Sequence, residues 1–166
     1  MEHLWTPWRM AYIRGEKRPA DGCVFCTAST LSDDEALIIA RATHVYAIMN
    51  RYPYNNGHLM IVPYAHVSSL ELLEDAALLD LMRMTNRALA ALRHLYNPPA
   101  FNLGANLGQA AGAGIAEHFH LHIVPRWSGD ANFMSVIGGT RVIPDTLDNT
   151  YRDLRNAWQQ LFAEKE

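Results

Sequence analysis

The run Gly112-Ala113-Gly114-Ile115-Ala116-Glu117-His118-Phe119-His120-Leu121-His122-Ile123-Val124-Pro125 decides how the rest of the chain is read. Its second half reads as a β-strand from His118 to Val124, ended by Pro125. Side chains alternate across a strand, so His118, His120 and His122 share one face, and Phe119, Leu121 and Ile123 share the other. The odd face is wholly apolar and predicts burial against a helix. The even face carries three imidazoles in a row. Plain surface histidines have no reason to recur at period two directly after a glycine loop. Two chemistries suit them. Imidazoles on one strand face can converge on zinc. Alternatively, one of them attacks phosphorus, since imidazole is largely uncharged at neutral pH and its phosphoramidate stays labile to a second acceptor. The loop from Gly108 to Gly114 favours the second chemistry, because backbone N–H groups with few side chains around them suit phosphate oxygens. Glu117 falls by parity on the apolar side of the strand.

Working outward, Ala36–Arg41 and Val45–Asn50 read as short strands. Tyr52-Pro53-Tyr54-Asn55-Asn56-Gly57 has turn chemistry, and His58–Val62 reads as a third strand ended by Pro63. Asp75–Tyr96 changes period. There Leu78, Met82, Thr85, Leu89, Leu92 and Tyr96 recur at helical spacing, with Arg83, Arg87 and Arg93 largely between them and Pro98-Pro99 as the stop. Phe101–Asn106 reads as a fourth strand. Asp145–Phe162 is a second helical pattern built on Leu147, Tyr151, Leu154 and Trp158. Strands joined without intervening helices pair antiparallel. The expectation is an α+β domain with an antiparallel sheet of about five strands, one long packed helix and a C-terminal helix. Residues 1–22, with Trp5, Trp8, Tyr12 and Ile13, read as an N-terminal arm. Residues 23–132 form the domain, and 133–166 a C-terminal helical extension packed on it.

A chain of 166 residues fits one domain with a core that needs no disulfides. Its 49% hydrophobic and 19% charged content is that of a globular protein. A net charge of -3 gives no electrostatic reason for general nucleic-acid or membrane binding, while leaving room for a small phosphorylated ligand. No apolar run approaches the roughly 18 residues that span a bilayer. Met1–Arg14 lacks the apolar stretch of a secretion signal, so the expected compartment is the cytoplasm. The cysteines, Cys23 and Cys26, are not a secreted disulfide framework. Their Cys-x-x-Cys spacing suits zinc, which needs two more donors, or a redox pair. A redox pair belongs at the start of a helix after a strand, whereas this one follows the loose arm.

His118-Phe119-His120-Leu121-His122-Ile123-Val124 is a complete match to the His-φ-His-φ-His-φ-φ signature (φ apolar), and from about Cys23 to Asn132 the chain resembles the histidine triad superfamily. The segments Leu4-Trp5-Thr6-Pro7-Trp8-Arg9, Asn50-Arg51-Tyr52-Pro53-Tyr54-Asn55 with Gly57-His58, and Pro125-Arg126-Trp127-Ser128-Gly129-Asp130-Ala131-Asn132-Phe133 look like its bacterial diadenosine tetraphosphate phosphorylase-like branch.

The resemblance implies that His120 attacks the α-phosphate and forms a nucleotidyl-histidine. It implies that His122 contacts the phosphate, and that His118 orients the array or binds metal. Asn106 is the match to a polar residue that contacts the reacting phosphate, and Gly112-Ala113-Gly114 would donate backbone N–H groups. Gly114 stands where relatives often carry Gln or Ser, so a side-chain donor to the leaving group is absent there. Asn50 aligns with the residue that bonds the ribose hydroxyls; the alternative is a turn cap before Tyr52-Pro53. His58 matches a histidine that supports the triad from behind, or is simply a partly buried strand histidine. Some relatives, galactose-1-phosphate uridylyltransferase among them, complete a zinc site at positions matching His66 and His118. That implies one structural zinc per chain on Cys23, Cys26, His66 and His118, with no organic cofactor. The implied activity is cleavage of dinucleoside polyphosphates, adenine being the usual base, with phosphate or water as acceptor. The alternatives are hydrolysis of nucleoside phosphoramidates or adenylated amines, a catalytic metal site, and a non-enzymatic nucleotide sensor. The family is usually a homodimer joined along sheet edges.

Overall fold

The computed structural model describes residues 22–130 and 145–163. The expected arm, apart from Gly22, therefore lies outside the described residues, as do Ala131, Asn132 and the 133–144 part of the expected C-terminal extension. Cys23 caps a first helix, α1 (Val24–Thr30), and a short α2 (Asp33–Ala36) follows. Three strands come next: β1 (Ile38–Arg41), β2 (Val45–Met49) and β3 (Leu59–Pro63). The long helix α3 (Asp75–Tyr96) leads to β4 (Ala100–Gly104), β5 (Leu121–Arg126) and α4 (Leu147–Phe162). The sheet order is β1-β2-β3-β5-β4, and every neighbouring pair is antiparallel. The α+β architecture is the expected one.

Period-two alternation sorts the core into two layers. Val45, Ala47, Met49, Leu59, Ile61, Phe119 and Ile123 face α3 and α4 in the main core. Tyr46, Ile48, Met60 and Val62 face the other way and pack with Phe25 of α1 and Ala36. α1 therefore covers the sheet face opposite the long helices. Tyr46 fastens it there, because its buried hydroxyl donates to Phe25 O at 2.8 Å. Arg41 also donates to Ser29 O and Leu31 O at the end of α1.

Several boundaries differ from expectation. Ala36 closes α2 instead of opening β1. Ser32 and Glu35 form a reciprocal capping box, and Leu37 exits through a left-handed φ of 61°. His58 precedes β3, and Pro63 is the last residue of that strand, opposite Val45. β4 begins at Ala100 and ends at Gly104. The largest correction concerns the histidines: β5 begins at Leu121, so His118 and His120 lie in the segment entering it. The cause is the Phe119 N–H, which donates to Val67 O at 2.6 Å and so is withdrawn from the β3 ladder. Glu117 sits in the preceding turn and is exposed, not on an apolar strand face. Pro125 is inside β5. β3 pairs with β5 only as far as Ile123, so at Pro125 the strand has β4 as its sole ladder partner and the missing N–H costs nothing.

α3 has the expected ends, but its buried stripe is Ala77, Leu81, Met84, Thr85, Ala88, Ala91 and Leu92. Met82, expected inside, is 51% exposed. The alanines allow close approach to the sheet and rotate the buried face away from the larger apolar residues. In α4, Tyr151, Leu154 and Trp158 are buried as expected, and Thr146 caps by accepting from Asn149 N–H.

Candidate active site and metal centre

The turn before β3 and the segment before β5 bring the functional side chains together. Asn55 is buried and donates to Pro125 O at 3.0 Å and to Asp130 Oδ2 at 2.8 Å. Asp130 also accepts from Arg126 Nε and Trp127 N–H, both at 2.9 Å. Asn56 Oδ1 accepts from the Thr150 hydroxyl of α4 at 3.1 Å. Gly57 has φ +73°, and a Cβ there would stand 2.9 Å from Leu92 Cδ2. The turn is thus pinned to β5, α4 and α3, and this fixes where Tyr54 N–H and His58 sit.

The flanking residue Phe119 goes into the main core, so His118 and His120 turn to the α1 side. The Phe25 ring packs against both, at centroid distances of 5.4 and 4.8 Å. His118 is buried and donates from Nε2 to Pro63 O at 2.9 Å. Burial lowers its pKa and keeps it neutral, so Nδ1 carries a lone pair. That nitrogen lies 3.3 Å from Cys23 Sγ and 3.6 Å from Cys26 Sγ. His66 Nδ1 is 3.3 Å from Cys26 Sγ. The four donor atoms all lie within 4.8 Å of one another. Zinc bonds of about 2.3 Å to sulfur and about 2.0 Å to nitrogen place tetrahedral donors roughly 3.3–3.8 Å apart. The spacing, the thiol and imidazole donor set, and the fixed His118 tautomer all fit such an ion. Cys23, Cys26, His66 and His118 form a cluster able to hold a metal.

His120 and His122 differ in which nitrogen carries the proton. His120 Nδ1 donates to His118 O at 2.9 Å. Burial is the main cause that lowers its pKa, opposed by that backbone bond, so the ring is neutral with its lone pair on Nε2. The other ring is set through His58. Tyr54 N–H, which can only donate, reaches His58 Nδ1 at 3.0 Å. The His58 proton must then be on Nε2, which lies 2.9 Å from His122 Nδ1 and donates to it. His58 is fully buried, and desolvation first, then the repulsion it would meet from protonated His122 and His120, push its pKa down to about 3. A neutral His122 consequently holds its proton on Nε2. The His120 and His122 rings stand 4.9 Å apart at 72°, with their protons on different nitrogens.

Both rings line a cleft of about 320 Å³, together with Asn50, Asn106, Gly112 and Gly114. His58 supports His122 from behind the wall, and His118 belongs with the cysteines. Asn50 is a turn cap, its Oδ1 accepting from Tyr52 N–H at 2.8 Å, and it is also among the residues lining the cleft. Gly112 takes a left-handed φ of 85°, which lets the loop close over this end. Sequence reasoning missed Phe25, Tyr46, Tyr54 and Arg51. Phe25, Tyr54 and Arg51 line the cleft, and Arg51 also donates to Glu35 O at 2.6 Å. Arg51 and Tyr54 belong to the Asn50–Asn55 segment that carries the branch resemblance, which gave them no role of their own. Only the placement of Phe25 between two cysteines hinted at a role.

A model of the HIT domain matches residues 32–129. The chain belongs to the histidine triad (HIT) family. It is 46% identical over 165 residues to the AP-4-A phosphorylase of Mycobacterium tuberculosis, covering 95% of this chain and 85% of that protein. A zinc-bound histidine triad family protein from Mycobacterium smegmatis is 28% identical with a TM-score of 0.69, over 87% of this chain and 98% of that one. The diadenosine triphosphate hydrolase of Plasmodium falciparum has the same fold, at 16% identity and a TM-score of 0.62, over 81% of this chain and 80% of that one. No helix among the described residues of this HIT protein is long and apolar enough to cross a membrane.

Proposed function

We propose that this HIT protein cleaves dinucleoside polyphosphates by two-step nucleotidyl transfer, with inorganic phosphate as the acceptor. The observation that carries the reading is the chain of hydrogen bonds behind one cleft wall, His120 Nδ1 to His118 O and His58 Nε2 to His122 Nδ1, which assigns the His120 lone pair and the His122 proton to the opposite ring nitrogens, both Nε2. His120 Nε2 attacks the α-phosphorus in line and the remaining phosphate chain leaves. His118 O holds the Nδ1 proton and stabilises the charge the ring acquires. His122 Nε2–H, the Asn106 carboxamide and the Gly112–Gly114 amides receive the developing negative charge. Asn50 holds the ribose hydroxyls. Phosphate then attacks the nucleotidyl-histidine and releases the nucleoside diphosphate. The sequence likeness to an AP-4-A phosphorylase supports this choice of substrate and acceptor.

The test is product analysis of diadenosine tetraphosphate turnover. With phosphate the expected products are ADP and ATP; water as acceptor would give AMP and ATP. His120→Ala should lower the rate by at least about a thousandfold, and undiminished turnover removes the nucleophile.

We also infer one structural zinc on Cys23, Cys26, His66 and His118. With all four positions filled by protein it would supply cross-linking and no chemistry on the substrate. The zinc-bound relative supports this reading. Metal analysis should find about one zinc per chain, lost in Cys23→Ser; a metal-free, fully active protein refutes it. Two chains are proposed to pair through the open edge at β4, where Leu103 is exposed.

A further inference from the structure

The cysteine pair is placed differently from its sequence reading, and the placement has consequences beyond metal binding. Cys23 is the cap of α1 and Cys26 lies one turn on, so the pair does open a helix. The two sulfurs are within 4.8 Å of each other. Residues three apart at a helix start have Cα separations inside the range of about 4.4–6.8 Å that a disulfide accepts. Both cysteines are half-buried and His66 is exposed, so a small oxidant reaches the sulfurs from solvent.

The helix that carries the thiols is also a wall of the nucleotide cleft. Val24, Phe25, Thr27 and Ala28 line the cleft, and Phe25 packs on the His120 ring. His118, whose Nδ1 faces both sulfurs, offers the carbonyl that fixes the His120 proton. The same two sulfurs therefore tie down the cleft wall and the backbone behind the nucleophile.

We propose that Cys23 and Cys26 are an oxidation site at which a hydroperoxide closes a disulfide, expels the metal and loosens the nucleotide cleft. The proposal rests on the reading of the four-donor cluster as a metal site. One sulfur attacks the peroxide oxygen, the O–O bond breaks and an alcohol leaves, giving a sulfenic acid. The second sulfur attacks the first, forming the S–S bond and releasing water. Two thiols and one hydroperoxide become one disulfide, one alcohol and one water; the sulfurs are oxidised and the peroxide is reduced. Two imidazoles alone then remain for the metal, and α1 loses its tie to His66 and His118.

The experiment treats the full chain, loaded with zinc, with hydrogen peroxide in steps. It follows alkylatable thiols by peptide mass, free zinc with a chromogenic chelator, and AMP binding by calorimetry. Thiol loss, zinc release and weaker AMP binding should rise together, and thiol reductant with added zinc should restore all three. If the binding-ready cleft falls to about a tenth of the population, the AMP Kd rises about tenfold. Cys26→Ser should show no further loss of AMP affinity on peroxide. The proposal is overturned if the cysteines stay reduced while methionines oxidise, if the disulfide forms with AMP affinity unchanged, or if Cys26→Ser responds to peroxide as the wild type does. A reduced chain that takes up no zinc but still loses AMP affinity on forming the disulfide refutes the metal reading and leaves the oxidation site standing.

Discussion

His58 is fully buried, with one ring nitrogen accepting from Tyr54 N–H and the other donating to His122, so both nitrogens are committed and a second proton is costly. Its pKa is about 3 in the folded chain against 6.5 for a free histidine. Between those values the unfolded chain carries a proton that the folded chain lacks. Stability is therefore complete above about pH 6.5 and falls as the pH drops below it, at about 1.4 kcal/mol per pH unit from this residue. Urea unfolding at pH 7.5 and pH 5.5 should show the loss, and His58→Gln should flatten it. An equal slope in the variant would assign the effect to other groups. The three triad histidines were legible as a group, because period two and a glycine loop leave a pattern. The proton on each was not, because it depends on Pro63 O, His118 O and Tyr54 N–H, which are backbone atoms supplied by the fold.

At the scale of elements, the 52–57 turn does more than reverse the chain. Asn55, Asn56 and Gly57 each reach a different neighbour, and together they set the depth of His58. Gly57→Ala combines a left-handed φ with a contact of 2.9 Å to Leu92 Cδ2. It should lower stability by about 2 kcal/mol or more. The measure is the urea midpoint at constant m-value, and an unchanged midpoint would mean that the turn relaxes freely. The helix ends of α3 were legible from Asp75 and from Pro98-Pro99. Its buried face was not, since hydropathy favours Met82 while close packing favours Ala88 and Ala91, which are fully buried. α1 was missed altogether. It is short, and its cap residue Cys23 makes no side-chain capping bond.

For the whole molecule, β4 is an edge strand of the sheet, and among the described residues it is mostly exposed, with Leu103 at 49%. Under the proposed pairing through that edge, Leu103→Asp should shift the mass in light scattering from two chains to one. A wild-type protein that is already monomeric refutes the pairing. The fold class followed from strand order alone, whereas the grouping of Cys23, Cys26, His66 and His118 came only from family resemblance, as donors up to 95 residues apart must be brought together by the sheet. The Phe119 N–H gives an independent handle on this region. It bonds Val67 O outside the ladder, in the segment that carries two triad histidines. Its exchange with deuterium needs only that segment to detach, whereas the central amides of β2 and β3 wait for global unfolding. A protection factor at Phe119 well below theirs would report how often the histidine-bearing segment breathes in a chain that is otherwise folded.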